Sequence, residues 1–309
     1  MICSRTCGIM YCMKVSHAIP IDSRWEDLAS AIRERPGVRT VYVIGAPDRG
    51  KSVLCRYLAG ELSRESPAAY VDCDPGQSSI GPPGAIGMQG LGPAGVPAGR
   101  PLLYFIGSTS PRGHTLACMS GVKRLAGKAD ALGYRIIIID SSGFVLSRAA
   151  QEFQYHLIDL LEPDFLAAIQ RGNEIEALLG NFAVHPGITI HRIPVSPAVA
   201  VRTPRQRRRH RQNLFNAYFR DAFVQDLDIS GMGMHGMTPA TAGPLSYRGQ
   251  LAAVCDPENL AVVLGIIVSF HPEKERLSLF APSFHHQDAA SIQFGSLYLD
   301  LNEYSERTS

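Results

Sequence analysis

The sequence lacks several features that would place it in a specialised class of protein. Its 309 residues contain no apolar run of the roughly 18–20 residues that cross a bilayer. Apolar runs such as Ile136–Ile139 have the length of a strand, and cysteine and polar residues interrupt the opening segment, so it is not a convincing signal peptide. These absences exclude a transmembrane, collagen-like or fibrous protein and predict no membrane association.

Charge imbalance and paired cysteines are missing as well. Lys and Arg total 30 and Asp and Glu total 28, so the net charge of +2 does not by itself demand a nucleic-acid partner. The cysteine count is seven, and an odd count argues against a disulfide scaffold and predicts a reducing, cytoplasmic setting. The spacing of Cys3, Cys7 and Cys12 is unlike that of a zinc ribbon. We therefore expect residues 1–22 to be a disordered leader, and the alternative is translation upstream of a true start at Met13.

What is present is an alternation of strand-like and helix-like segments. Segments near residues 38–44, 68–71 and 134–139 are apolar on both faces, which is typical of parallel strands covered by helices. The pattern predicts an α/β domain over residues 23–240, with a mainly parallel sheet covered by helices on both faces. Short strand-like segments then predict a small β-rich C-terminal domain over residues 241–309.

Residues 45–52 carry the sequence GAPDRGKS, which fits the phosphate-loop pattern G-x-x-x-x-G-K-[ST] between a predicted strand and a predicted helix. The motif makes the expected fold that of a P-loop NTPase. Its glycines let backbone N–H groups point at phosphate oxygens, and the helix N-terminus adds positive partial charge. Lys51 is expected to reach the β and γ phosphates, and the Ser52 hydroxyl to ligate Mg²⁺. The predicted nucleotide-binding residues are Gly45, Ala46, Pro47, Asp48, Arg49, Gly50, Lys51, Ser52 and Val53.

Acidic residues follow two of the predicted strands. Asp72 and Asp74 alternate at the end of one strand and therefore point to the same side, where ligands bind in open α/β sheets. One of them is suited to hold Mg²⁺ and the other to accept a proton from an attacking hydroxyl, while Gln77 orients water on the metal. Asp140 ends a second apolar strand and competes for the metal role, and the sequence does not decide between Asp72 and Asp140.

Together these segments resemble the polynucleotide 5′-hydroxyl kinase family, which includes the kinase subunit of the mRNA 3′-end cleavage machinery, kinases of ribosomal RNA processing and archaeal RNA kinases. The phosphate loop alone is generic, whereas the blocks at 70–84 and 105–114 are much more specific. The blocks that carry the resemblance are GAPDRGKS, YVDCDPGQSSIGPPG, FIGSTSPRGH, IIIIDSSGFV and an Arg-rich segment that ends in Tyr218-Phe219.

The resemblance implies transfer of the γ-phosphate of ATP to the 5′-hydroxyl of RNA or DNA, with Mg²⁺ as cofactor and with RNA-processing proteins as partners. It assigns Asp74 as the general base, Asp72 and Gln77 to the surroundings of the metal, and Thr109 to the clasp on the acceptor strand. His114 lies in the same block with an open role, and its alternative is a loop histidine bonded to the backbone.

Two departures from the family pattern affect these expectations. Family members commonly carry Thr-x-Gly-Trp where this chain has Ser141-Ser142-Gly143-Phe144. Phe144 still offers a π-face for stacking on a base, and core packing is the alternative. The chain also begins almost directly with the nucleotide-binding domain, so contacts that eukaryotic members make through an extra N-terminal β-domain are not assumed.

A basic segment over about residues 202–219 matches the family's mobile lid. Six arginines fall between Arg202 and Arg211. Arg207 and Arg211 are expected to share one helix face and to close on ATP, stabilising charge on the transferring group. The alternative is a solvated basic face. A catalytically silent ATP-binding scaffold is the competing function, whereas a GTPase or metallochaperone is disfavoured because no guanine motif or metal-binding Cys/His pair is found.

Overall fold

The computed structural model describes residues 22–237 and 246–307. Most of the predicted leader therefore lies outside the described residues. Within the described ranges, no helix combines the length and the apolarity that are needed to cross a membrane. The cysteines of this part of the chain, Cys55, Cys73, Cys118 and Cys255, are buried and free.

The first half of the chain forms a seven-stranded sheet with the order β4-β3-β2-β5-β1-β6-β7. Strands β2, β5, β1, β6 and β7 are parallel, as predicted, while β3 and β4 add an antiparallel edge. The strands are β1 Thr40–Ile44, β2 Ala68–Asp72, β3 Ala85–Leu91, β4 Pro97–Phe105, β5 Ile136–Asp140, β6 Phe165–Gln170 and β7 Thr189–Pro194.

Helices cover both faces of this sheet, as the doubly apolar strands predict. One face packs against α1 and α2, and the other against α3, α4 and α5. The helices are α1 Ser23–Glu34, α2 Lys51–Leu62, α3 Thr115–Ala131, α4 Arg148–Leu161, α5 Glu176–Leu179 and α6 Pro204–Tyr218. Helix α6 belongs to neither layer, because Phe215 and Phe219 are buried against the second sheet.

The second sheet has the order β8-β12-β11-β10-β13-β9, and its strands are antiparallel except for the parallel pair β13–β9. The strands are β8 Phe223–Asp228, β9 Gly233–Gly236, β10 Gln250–Cys255, β11 Ala261–His271, β12 Arg276–Ala281 and β13 Ser291–Tyr298. Since β8 and β9 precede residue 240, the sheet begins earlier than the predicted domain boundary. The β8 segment pairs with β12 over its whole length, and that long-range pairing is not visible in the local pattern.

Residues 75–101 are rich in glycine and proline, a composition typical of a loop, yet β3 and the start of β4 lie there. The glycines of β3 suggest a turn, but in the structure they make room for side chains that pack closely against the strand. A Cβ at Gly90 would stand 1.8 Å from the Tyr134 hydroxyl, and a Cβ at Gly87 would stand 2.6 Å from Ile80. Glycine in a strand often marks such a close approach.

Two glycines of α3 give opposite expectations for the same substitution. A Cβ at Gly121 would meet the Tyr104 ring at 2.5 Å, whereas a Cβ at Gly127 would have no neighbour within 4 Å. We expect Gly121→Ala to lower the free energy of unfolding by about 1–3 kcal/mol through overpacking. Gly127→Ala should raise it by about 0.5–1 kcal/mol, because alanine favours helix. Urea denaturation of both variants measures this, and equal effects would contradict the packing of α3 on the sheet.

Candidate active site

The phosphate-loop sequence connects β1 to α2, which is the context that the motif requires. Gly50 adopts φ +93° at the N-cap of α2, and that left-handed conformation suits glycine. The Lys51 ammonium is buried and donates to the carbonyl of Ala46 at 3.1 Å. The loop therefore folds around its own lysine, with backbone N–H groups and a helix N-terminus ready for an anion.

The two residues at the loop tip are paired rather than solvated. The Arg49 guanidinium makes a two-pronged ion pair with Glu174, at 2.8 and 2.9 Å. Asp48 accepts from Arg207 at 2.5 Å. Because both partners come from outside the motif, the loop is fixed from two directions.

Asp72 and Asp140 stand side by side, because β2 and β5 are parallel neighbours and pair these residues in register. Both carboxyl groups are buried. Burial, and next the charge of Asp140, raise the pKa of Asp72 to about 7. Hydrogen bonds oppose the shift, since Asp72 accepts from the Ser79 hydroxyl at 2.7 Å, from the Ser79 N–H and from the Asp74 N–H at 3.0 Å. Both oxygens of Asp72 are thus occupied.

Asp140 is bonded differently. Its Oδ2 accepts from the Tyr70 hydroxyl at 2.9 Å, whereas its Oδ1 is buried with no hydrogen-bond partner in the described part of the chain. Burial raises the pKa of Asp140, while the Lys51 ammonium and the Ser52 and Tyr70 hydroxyls act in the opposite direction. Asp140 is therefore the carboxylate that presents an unused oxygen beside the phosphate loop.

Asp74 lies in the turn after β2. Its Oδ1 accepts the N–H groups of Gly76 and Gln77, each at 2.9 Å. The charge of Asp74 raises the pKa of Asp140 while the charge of Lys51 lowers it, so both groups lie around the same carboxyl. Gln77 has a buried Oε1 without a partner among the described residues. The turn after β2 thus carries a half-buried carboxylate and a buried amide oxygen that has no partner in the described structure.

The block at 105–114 reaches this site through only one of its two predicted residues. The Thr109 carbonyl lies against Gly76, where an added Cβ would be 2.3 Å from it. His114 instead caps α3 and its Nε2 lies 3.0 Å from the Ser296 hydroxyl of β13. Burial lowers the pKa of His114. His114 thus contacts the second sheet through its side chain, and a role for it at the acceptor site stays a prediction.

Phe144 is half-buried beside the core, with its ring centroid 6.3 Å from that of Phe153. Packing therefore occupies part of its ring, as the alternative interpretation holds.

The two arginines predicted for the lid have different partners. Arg207 contacts the phosphate loop through Asp48, as expected for a residue that closes over it. Arg211 forms a two-pronged ion pair with Glu306 instead, with Nη2 to Oε2 at 3.0 Å. One helical turn beyond Arg207, Arg211 lies at the C-terminal segment and not at the loop, so its role at the phosphates stays a prediction.

Sequence reasoning missed Tyr70 and Ser79, which hold the carboxylates in place. The Tyr70 hydroxyl lies 3.1 Å from Ser79 Oγ and so links the bonds to Asp140 with those to Asp72. The alternation of β2 contained the signal, because Tyr70 and Asp72 must share a face. Ser79 carried no such signal, since it lies seven residues further along a loop.

A glycine-rich loop between a strand and a helix, with acidic strand ends around its lysine, defines the class of phosphate-loop nucleotide-binding proteins. Comparison with known proteins narrows the class. Residues 45–221 match the family model of the mRNA cleavage and polyadenylation factor CLP1 P-loop, and the chain therefore belongs to this family.

Several relatives have descriptive names. The polyribonucleotide 5′-hydroxyl-kinase of Thermococcus kodakarensis is 30% identical over 67% of this chain and 59% of its own length. The enzyme of the same name from Pyrococcus horikoshii is 29% identical over 66% and 57%. A CLP1 homologue of Nematostella vectensis is 29% identical over 58% and 44%. The chain thus spans less than two thirds of the length of these relatives.

A solved structure of wild-type Clp1p in complex with Pcf11p (454–563) superposes with a TM-score of 0.66. The superposition covers 89% of this chain and 79% of that one, at 14% sequence identity. At this identity the match supports the fold: a P-loop domain with helices on both faces of a mostly parallel sheet, followed by a second, β-rich part.

The buried carboxyl of Asp140 generates a prediction about stability and pH. Its pKa is raised above the ordinary 3.8, so its contribution to folding is present at low pH and is lost as pH rises through the higher folded value. Asp140→Asn keeps an oxygen for the Tyr70 hydroxyl and removes the charge. We expect the variant to be more stable than the parent by about 1–3 kcal/mol at pH 8, with a smaller difference at pH 5.

Denaturation with urea, without nucleotide or Mg²⁺, measures this difference. The exposed Asp159→Asn is the matched control and should show no comparable pH dependence. A variant that is less stable than the parent at pH 8 would show that ionised Asp140 is favourable in the folded protein.

Proposed function

We propose that this chain is an ATP-dependent polynucleotide 5′-hydroxyl kinase that transfers the γ-phosphate of ATP to the 5′-OH of RNA. The observation that carries the proposal is the position of Asp74: a half-buried carboxylate grouped with Lys51 around Asp140, at the carboxyl ends of parallel strands. The names of the archaeal relatives support the same activity. DNA with a 5′-hydroxyl is the alternative acceptor.

In this mechanism the backbone N–H groups of residues 45–52 hold the phosphates and Lys51 neutralises the β and γ oxygens. The acceptor 5′-hydroxyl lies between Asp74 and Thr109 and attacks the γ-phosphorus in line. The bond from O5′ to phosphorus forms as the bond to the β,γ-bridging oxygen breaks, and ADP leaves. Asp74 takes the proton of the hydroxyl.

The residues around Asp140 fit Mg²⁺. The unpaired Asp140 Oδ1 and Gln77 Oε1, together with the Ser52 hydroxyl, are the hard oxygen donors that this ion prefers. Bound there with ATP, it would neutralise charge on the β and γ phosphates. No group of three or more His, Cys, Asp or Glu side chains in the described ranges could hold a metal alone, which agrees with a site that is completed by phosphates and water.

The catalytically silent ATP-binding scaffold is the second candidate. One observation favours it: a carboxylate already holds Arg211, so that arginine does not reach the phosphates. A protein partner from RNA processing belongs to either proposal, because the superposed Clp1p is in complex with Pcf11p. The buried free thiols support the predicted cytoplasmic setting.

Replacing the proposed base tests the activity directly. The protein is incubated with γ-labelled ATP and single-stranded RNA or DNA that ends in a 5′-hydroxyl. We expect label on RNA, and we expect Asp74→Asn to lower kcat by about 10²–10⁴-fold with nucleotide binding unchanged, since a positioned base contributes that much. Asp159→Asn controls for loss of an acidic side chain.

Label transfer that survives Asp74→Asn would remove Asp74 from the role of base. Nucleotide binding without label on any 5′-hydroxyl end would favour the scaffold.

The two metal candidates give different expectations for Mg²⁺. Asp140→Asn should raise the Mg²⁺ concentration for half-maximal transfer by about 10–100-fold, because it removes the unpaired oxygen. Asp72→Asn should raise it less, because protein donors already occupy both of its oxygens. Titrating Mg²⁺ at fixed ATP measures both, and a larger effect at Asp72 would reverse the assignment.

A further inference from the structure

We infer that Asp48 is a positioning residue for Arg207: the phosphate loop carries its own carboxylate to hold the arginine that reads the γ-phosphate. This inference deepens the proposed function and rests on it. Asp48 is a variable position of the loop motif, so the motif itself assigns no role to its side chain.

The carboxylate of Asp48 is directed at helix α6 by the backbone of the loop. Asp48 has φ +55°, a left-handed conformation that aspartate and asparagine tolerate better than most residues. Its Oδ2 accepts from Arg207 Nη2 at 2.5 Å and from the Arg202 N–H at 3.0 Å. The side chain is only 11% exposed, so the pair is shielded from solvent more than an ordinary surface pair.

A negative charge at Asp48 is unexpected on a loop that binds phosphates. A carboxylate on a loop that binds phosphates repels its ligand, because like charges at short range oppose each other. Pairing with Arg207 cancels the charge of Asp48, and the cation stays at the loop. The charge-assisted hydrogen bond between Arg207 Nη2 and Asp48 Oδ2 holds the guanidinium at the loop.

The rest of the Arg207 guanidinium remains available. Besides the bond to Asp48, its Nε approaches the Arg202 carbonyl at 3.4 Å, and Nη1 has no hydrogen-bond partner within residues 22–237 and 246–307. An arginine has five N–H donors in a fixed fork, so one edge can stay on Asp48 while another binds a phosphate oxygen. The 28% exposure of the Arg207 side chain leaves that edge accessible.

The position of Arg207 at the loop is set by the contacts that fix the two ends of helix α6. A capping box between Thr203 and Gln206 fixes its first turn, and the buried Phe215 anchors its last turns on the second sheet. Arg211, one turn beyond Arg207, is held by Glu306. Of the α6 arginines in the described structure, Arg207 is the one whose ion pair reaches the phosphate loop.

A double-mutant cycle in the full chain tests the inference. Asp48→Asn is the first variant, because asparagine tolerates the positive φ and removes only the charge. The second is Arg207→Ala, and the third combines them. Affinities for ADP and for a non-hydrolysable ATP analogue are measured with kcat for transfer to 5′-hydroxyl RNA.

We expect Asp48→Asn to lower the preference for the ATP analogue over ADP by about tenfold and kcat by a similar factor, since an arginine on the γ-phosphate acts most in the transition state. In the Arg207→Ala background the same change should alter both quantities less than twofold, because the two side chains act as one unit. Asp130→Asn, which removes the ion pair with Arg39 before the start of β1, at the opposite end of that strand from the loop, is the matched control and should leave the preference unchanged.

Two results would overturn the inference. Effects of Asp48→Asn that persist in full without Arg207 would show that the carboxylate acts independently. A higher preference for the ATP analogue in Asp48→Asn would show that Asp48 competes with the γ-phosphate for the arginine. The binding ratio separates this inference from the proposed function: a protein that transfers no label still reports the coupling, whereas wild type that binds neither nucleotide refutes both.

Discussion

The adjacent burial of the Asp72 and Asp140 carboxyls is the constraint on which the rest of the site depends. Parallel pairing of β2 with β5 forces the two groups together, and both have raised pKa values because burial penalises their charged forms. The surrounding donors oppose this penalty. The Tyr70 hydroxyl donates to Asp140, the Ser79 hydroxyl donates to Asp72, and the Lys51 ammonium lies close to Asp140. One oxygen of Asp140 is left without a hydrogen-bond partner among the described residues.

The sequence predicted those parts of the molecule whose signal is local. The phosphate loop is a contiguous motif with a strand before it and a helix after it, and the structure has both. The acidic end of β2 was predicted to lie where ligands bind, because ligands of open α/β sheets bind at the carboxyl ends of the strands. The β3 segment was missed because its glycines make room for Tyr134 and Ile80, which are remote in sequence.

Other contacts could not be predicted, because their partners lie far apart in the chain. Arg211 and Glu306 are 95 residues apart, and no spacing rule connects them. The contact of His114 could not be predicted for the same reason, because its partner Ser296 comes from β13. The helix face that Arg207 and Arg211 share could be predicted from the sequence, but which carboxylate stands opposite each arginine could not. That choice depends on where α6 packs, and α6 packs on the second sheet.

The anchoring of α6 on the second sheet means that substitutions in the β-rich half can act on the phosphate loop. Phe219 stacks among Phe215, Phe280 and Tyr304, so residues of β12 and the C-terminal turn support the helix that reaches the nucleotide loop. Rearrangement in that aromatic cluster would shift helix α6 and with it Arg207, which lies against the phosphate loop. Substitutions in the β-rich half can therefore move Arg207 while the sequence of the phosphate loop stays the same.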